Sequence, residues 1–200
     1  MVVANQWLTI WCLMAFFGQI EGFWSNHLPG LGRHGRPTLL ASPQEDIQMY
    51  RKTNNWQAAL KRLDQAERNG EELTSAAFTD AMLCLNRGRR WKDSIGLFRK
   101  AQKLSLHLNC PIYNAVLHAS ARSRDWNNVS KLLAEMDSLG IEKDLASYNI
   151  GISAAANAKQ LNAALALFKN LQANKGLKPN VQVYTSVVNA YGRGGDWRGA

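Results

Sequence analysis

From residue 43 onward the apolar positions fall three and four residues apart, in paired stretches of about a dozen residues each. In "YNAVLHASARS", Tyr113, Val116, Leu117 and Ser120 occupy i, i+3, i+4 and i+7, and in "WNNVSKLLAEMDSLG" Trp126, Val129, Leu132, Leu133 and Met136 follow the same rule. This is the period of a helix with one face turned to a core. Gly140 supplies a stop. The next stretch repeats the order as "YNIGISAAANA" and "LNAALALFKNLQ", closed by Gly176 and Pro179. Small residues crowd its middle, Ala154 to Ala156 and Ala163, Ala164 and Ala166, as close helix packing requires.

The pairs themselves recur. Trp56, Trp91 and Trp126 are each 35 residues apart; a further 35 reaches Leu161, and 36 more reaches Trp197. Phe78, Tyr113, Tyr148 and Tyr184 keep steps of 35, 35 and 36, the extra residue lying in the "NKGLKPN" loop, where an insertion costs little. Two helices each about 18 Å long cannot bury both apolar faces alone. They must stack on copies of themselves, so the expected fold is all-α: a right-handed α-solenoid of 35-residue helix-turn-helix repeats. The tryptophans and Leu161 read as packing between adjacent hairpins. The expected units are a degenerate first repeat over 43–74, repeats over 75–109, 110–144 and 145–180, and the start of another over 181–200. That last unit stops in the first turn of its second helix, leaving Val187, Val188 and Tyr191 with an incomplete partner. The array is therefore expected to continue past Ala200.

The N-terminus is a different kind of sequence. "WLTIWCLMAFF", Trp7 to Phe17, is eleven residues without a charge, short of the roughly 20 that a membrane span needs. It reads as the hydrophobic region of a signal peptide, with cleavage after Gly22. The following segment holds His27, Arg33, His34 and Arg36, with no acid between Glu21 and Glu45, a transit-peptide composition. Residues 1–42 are thus a targeting leader, signal-like over 1–22 and transit-like over 23–42. Opening on Phe23, the second part resembles the bipartite plastid leader of algae with complex plastids. A mitochondrial leader, a secretory signal alone and a mistaken start codon stay open.

Composition narrows the chemistry. At 200 residues, 46% hydrophobic and 20% charged, the chain is not disordered throughout. A net charge of +9 suits a polyanion such as RNA or an anionic membrane surface. Cys12, Cys84 and Cys110 form no CxxC, so neither a disulfide framework nor a zinc site is indicated, and no cofactor or metal is expected. There is no P-loop, nucleophile elbow or HExxH. His107 and His118 have no evident carboxylate partner, so the chain reads as a binder and not an enzyme.

A 35-residue helical hairpin with an aromatic followed by Asn or Thr, ending "GIEKD" or "GLKPN", resembles the pentatricopeptide repeat family. The likeness covers about 155 residues and is plainest from Tyr113 to Asp144 and from Tyr148 to Asn180. Leu108-Asn109 departs from the usual ending, and Pro43-Gln44 from the usual aromatic and polar pair, so the first unit reads as a cap. The resemblance implies binding of single-stranded RNA, one base per repeat. Base reading would fall to Thr79 with Asn109, Asn114 with Asp144, and Asn149 with Asn180, with Thr185 in the last unit. The family's pattern gives adenine, uracil and cytosine in turn, a 5′-AUC core, followed by a purine if Thr185 is used. Asn, Asp and Thr at helix starts are also ordinary N-caps, but capping does not explain the paired recurrence after the aromatic. Residues at the base-stacking positions are Ala76, Pro111, Ala146 and Gln182. Arg87, Arg122 and Arg193 occupy the phosphate-facing place, with Asn157 breaking the series. Roles in organelle RNA processing, stabilisation, editing or translation would follow, with protein partners in RNA processing. The competing reading is a protein-protein scaffold using the same groove.

Overall fold

The structure, a computed structural model, describes residues 42–174 and 176–194. Within them are nine helices and no strand. They pair as α1 (Pro43–Thr53) with α2 (Trp56–Arg68), α3 (Ser75–Arg87) with α4 (Trp91–Lys103), α5 (Cys110–Arg122) with α6 (Trp126–Ser138), and α7 (Leu145–Asn157) with α8 (Leu161–Ala173). α9 (Val181–Gly194) follows. The proposed leader and Trp197 lie outside the described residues.

The hairpins owe their sameness to their turns. Asn54, Arg89, Arg124 and Lys159, at one register 35 residues apart, all take the left-handed conformation with φ of 55° to 58°. The next amide then reaches back five residues to close the first helix: Asn55 to Tyr50 at 3.0 Å, Arg90 to Leu85 at 2.9 Å, Asp125 to Ser120 at 3.1 Å, Gln160 to Ala155 at 2.9 Å. Gly70, Ser105 and Gly140, with φ of 67°, 52° and 66°, end α2, α4 and α6 in the same way. Each following first helix starts on a side-chain cap, Thr74, Asn109, Asp144 or Asn180.

Stacking is uneven between the two layers. α1, α3, α5, α7 and α9 touch in unbroken succession, whereas each second helix touches only its hairpin partner and the next first helix. Across the gaps between second helices only side-chain tips meet: Lys100 on α4 with Glu67 on α2 at 2.5 Å, and Gln102 on α4 with Glu135 on α6 at 2.7 Å. A stack that is close on one layer and splayed on the other curves toward the close one, so the first helices form the inner layer of the solenoid.

The repeated aromatics hold the layers together. Phe78 and Tyr113 are buried. Tyr113 meets Phe98 of the preceding hairpin edge-to-face at 5.2 Å, and its hydroxyl donates to Glu135 of its own second helix at 2.8 Å. Burial, and then the Glu135 carboxylate, push the Tyr113 hydroxyl pKa well above the usual tyrosine value. Tyr184 keeps the first contact, with Phe168 at 5.6 Å, but no described second helix covers its other side, and it is 50% exposed.

The tryptophans are half-buried wedges between hairpins. Trp56 lies so close under Gly88 that a Cβ there would stand 2.7 Å from the indole, and the Arg90 guanidinium sits 4.8 Å over its ring. Trp91 meets His118 edge-on at 6.0 Å, and Leu161 lies under Gly194. Each residue opening a second helix thus props the far end of the next first helix. Trp126 packs against both hydrophobic clusters, joining the stack across the third and fourth hairpins.

Candidate functional site

Along each first helix of the inner layer, three positions share one sector. Ala76 and Arg87 are eleven residues apart, which on a helix is three turns and a displacement of about 20°, with Thr79 about 60° to the other side of Ala76. The same offsets relate Pro111, Asn114 and Arg122; Ala146, Asn149 and Asn157; and Gln182, Thr185 and Arg193. Ala76, Pro111, Ala146 and Gln182 are all exposed, as are Arg87, Arg122, Asn157 and Arg193. Because the helices lie side by side, these become rows: small or polar residues near the N-terminal ends, cations about 16 Å away near the C-terminal ends. Asp80 is the one acid in α3, α5, α7 and α9, and Arg51 neutralises it at 2.5 Å.

The cation row is open. Among the described residues the Arg122 side chain makes no hydrogen bond or ion pair. Arg87 donates to the Arg51 carbonyl at 3.0 Å, and Arg193 to the Asn157 side chain at 2.7 Å, neutral partners that leave both charges uncompensated. His118, behind the row, has its pKa lowered by burial and then by Arg122. Lys52, 35 residues before Arg87 and exposed, extends the row into α1. Sequence reasoning passed it over because the aromatic that sets the register is replaced by Pro43.

The expected polar pairs differ from one another. Asn114 and Asp144 come together, with Asn114 Nδ2 donating to the two carboxylate oxygens at 3.1 and 2.9 Å. Asp144 also caps α7 through the Ser147 amide at 2.8 Å. Burial pushes the Asp144 pKa up, but the Ser147 amide and the side chains of Asn114, Ser147 and Cys110 outweigh it and hold the carboxyl below its usual value. Thr79 and Asn109 are not joined: Thr79 donates to the Ser75 carbonyl at 2.8 Å and Asn109 caps α5 at Ile112. Nor are Asn149 and Asn180. Asn149 is held by Gln182 at 3.5 Å and Ser186 at 3.2 Å, while Asn180 caps α9 at Val183. Thr185 donates to its own helix at Val181, 2.8 Å away. A closed pair also occurs where none was expected: in the first hairpin Thr74 donates to Gln44 at 3.2 Å, across the same 30 residues that separate Asn114 from Asp144. Its signal was again the register, hidden by Pro43.

Asn109, Cys110 and Asp144 open onto a trough of about 1180 Å³ where successive inter-hairpin loops line up. Among the described residues no group of His, Cys, Asp and Glu is placed to hold a metal, and no helix is long and apolar enough to cross a membrane.

Stacked helical hairpins of 35 residues with a polar pair and a cation at fixed registers define an α-solenoid repeat protein. Comparison narrows the class. Residues 131–194 match the pentatricopeptide repeat domain model, and residues 111–141 the PPR repeat model. Among solved structures, the pentatricopeptide repeat protein PPR10 in complex with an 18-nt psaJ RNA element is similar at 25% identity and a TM-score of 0.65, over 76% of this chain and 23% of that one. The pentatricopeptide repeat protein PPR10 from maize matches at 22% identity and a TM-score of 0.61, over 82% of this chain and 28% of that one. The PPR domain of Arabidopsis thaliana protein-only RNase P 1, in complex with tRNA, shares the fold at 13% identity and a TM-score of 0.67, over 79% of this chain and 86% of that one. No curated protein matches. The chain thus spans about a quarter of the PPR10 chains. Residues 111–194 are thus pentatricopeptide repeats.

Proposed function

We propose that this chain binds single-stranded RNA along its inner layer of first helices, with bases at the N-terminal row and phosphates at the cation row. The observation that carries this reading is the recurrence along the inner layer of an exposed small or polar residue and a polar reading group in one sector, with an uncompensated cation three turns along in α3, α5 and α9 and Asn157 at that place in α7. A linear polyanion with regularly spaced, unstacked bases has the matching periodicity. The similar PPR10 structure, in complex with an 18-nt RNA element, points the same way.

In this reading Thr79 with Asn109, Asn114 with Asp144, and Asn149 with Asn180 select a 5′-AUC core, and Thr185 contacts the next base. Arg87, Arg122 and Arg193 take phosphates. Each base contact contributes about 1–3 kcal/mol of discrimination by analogy with base-edge pairs in DNA, so three bias a choice of transcript without fixing it. In the same reading residues 1–42 act as a targeting leader to an organelle, a plastid before a mitochondrion, where the protein acts on RNA processing, stabilisation, editing or translation. Titration of the chain with AUC-containing and scrambled oligonucleotides at moderate salt tests the proposal. Tighter binding of AUC supports it; equal affinity at every salt concentration removes the code, and no binding of either favours a protein-protein scaffold.

A further inference from the structure

The position just before each first-helix aromatic holds Ala77, Ile112, Ser147 and Val183. Only Ser147 is polar, and it is fully buried. Its hydroxyl lies 2.6 Å from Asn114 Oδ1 and 2.9 Å from Asp144 Oδ1, with Cys110 Sγ at 3.6 Å. A serine hydroxyl has one proton, and an ionised carboxylate only accepts. Asn114 must therefore turn its NH₂ toward Asp144, which leaves Oδ1 facing Ser147 as the hydroxyl's closest acceptor. The amide is clamped from both ends by residues of the loop and helix that follow its own hairpin. One Oδ1 lone pair stays free, and the second N–H meets only the Cys110 sulfur at 3.6 Å, a weak acceptor.

We propose that Ser147 is a positioning residue: it fixes the orientation of the Asn114 amide and thereby sets the base preference of the preceding repeat. The inference rests on the RNA-reading role proposed above. A clamped amide offers its donor and acceptor in one order, which suits the N3–H and a flanking carbonyl of uracil. The reversed order suits N3 and the exocyclic amine of cytosine, so a freely turning amide accepts both. The other reading groups lack this clamp. Thr79 faces the register of Ile112 and bonds only its own helix. Asn149 faces that of Val183 and is held by Gln182 at 3.5 Å and Ser186 at 3.2 Å, an amide and a hydroxyl that can each donate or accept and so do not fix its orientation. The closed Gln44–Thr74 pair has Ala77 in the third place, where only the backbone amide joins, at 3.2 Å to Thr74. Base choice in this chain is thus a property of a neighbouring pair of repeats and not of each repeat alone.

The test uses the full chain and its Ser147→Ala and Ser147→Thr variants, with thermal melts checking that each folds. Anisotropy titrations compare AUC with ACC, and with probes altered at the first or third base. Ser147→Ala is expected to lower the uracil-over-cytosine preference at the central base by about fivefold or more, the worth of one base-edge contact. Preferences at the flanking bases stay unchanged, and Ser147→Thr, which keeps the hydroxyl, retains the central preference. An unchanged preference in Ser147→Ala, or equal weakening on every probe, overturns the proposal. A second readout needs no RNA. The Asn114 side-chain amide should show slowed hydrogen exchange by NMR in the wild type and Ser147→Thr, and fast exchange in Ser147→Ala. Equal exchange in all three refutes the clamp. If the wild type binds no RNA, the proposed function fails, while the exchange measurement still decides whether Ser147 holds Asn114.

Discussion

Replacing Arg87, Arg122 and Arg193 together by Gln should change how steeply RNA binding falls with salt. Counterion release on single strands contributes about 0.7 to the log-log slope per neutralised phosphate, so three contacts account for about 2. The structure decides whether all three should count. Among the described residues the Arg122 side chain has no partner, and Arg87 and Arg193 bond to neutral oxygens, so each brings a full charge to the row. Arg51, by contrast, is committed to Asp80. Raising salt fourfold should then weaken the wild type about 18-fold more than the triple variant, and about 2.5-fold more than Arg122→Gln alone. Lys169→Gln, an equal charge change on α8 in the splayed outer layer, is the control and should leave the slope nearly unaltered. The assay is anisotropy titration across a salt series at fixed pH. A triple variant with the wild-type slope, or a Lys169→Gln shift as large as that of Arg122→Gln, would refute a phosphate track on the inner layer.

Three further outcomes test the fold beneath the site. Gly88→Ala should destabilise by about 1–3 kcal/mol in urea unfolding because its Cβ meets the Trp56 ring at 2.7 Å, whereas Gly96→Ala, mid-helix with nothing within 4 Å, should stabilise by about 0.5–1 kcal/mol; the same sign for both would contradict the wedge. Tyr113→Phe should cost about 1–2 kcal/mol, because a hydrogen bond to a carboxylate is lost while Gln102 still serves Glu135. Since the Asp144 carboxyl is held below its ordinary value, its contribution to stability is complete above that value and is lost as pH falls through the depressed one. Unfolding of Asp144→Asn followed by denaturant at several pH values should accordingly show less loss of stability on acidification than the wild type.

The helices, their turns and the stacking were legible because each is fixed by local chemistry repeated at one period. An aromatic 35 residues after another meets the same neighbours, and so does a left-handed turn residue, even when it is Arg89 or Lys159 and not glycine. The site was legible only as a set of registers. Register alone does not distinguish Asn114, bonded to its expected partner, from Asn149, bonded elsewhere. The difference comes from residues of the following helix, Ser147 in one case and Gln182 with Ser186 in the other. In the first hairpin the registers were hidden for a related reason: Pro43 breaks the motif, yet helix α1 still brings Gln44 to Thr74 and Lys52 to the register of the cation row.

In the proposed function the inner layer carries two kinds of information by two different routes. Cations are set by helix register alone, so any residue three turns along from the small exposed one lands in the row, whatever its neighbours are. Asn114 and Asn149 are instead held at the seam between hairpins by the following loop or helix, and in the proposal a single buried hydroxyl decides the orientation of Asn114. Binding strength should then vary smoothly with the number of arginines, while base choice changes abruptly with substitutions such as Ser147→Ala that touch neither base nor phosphate.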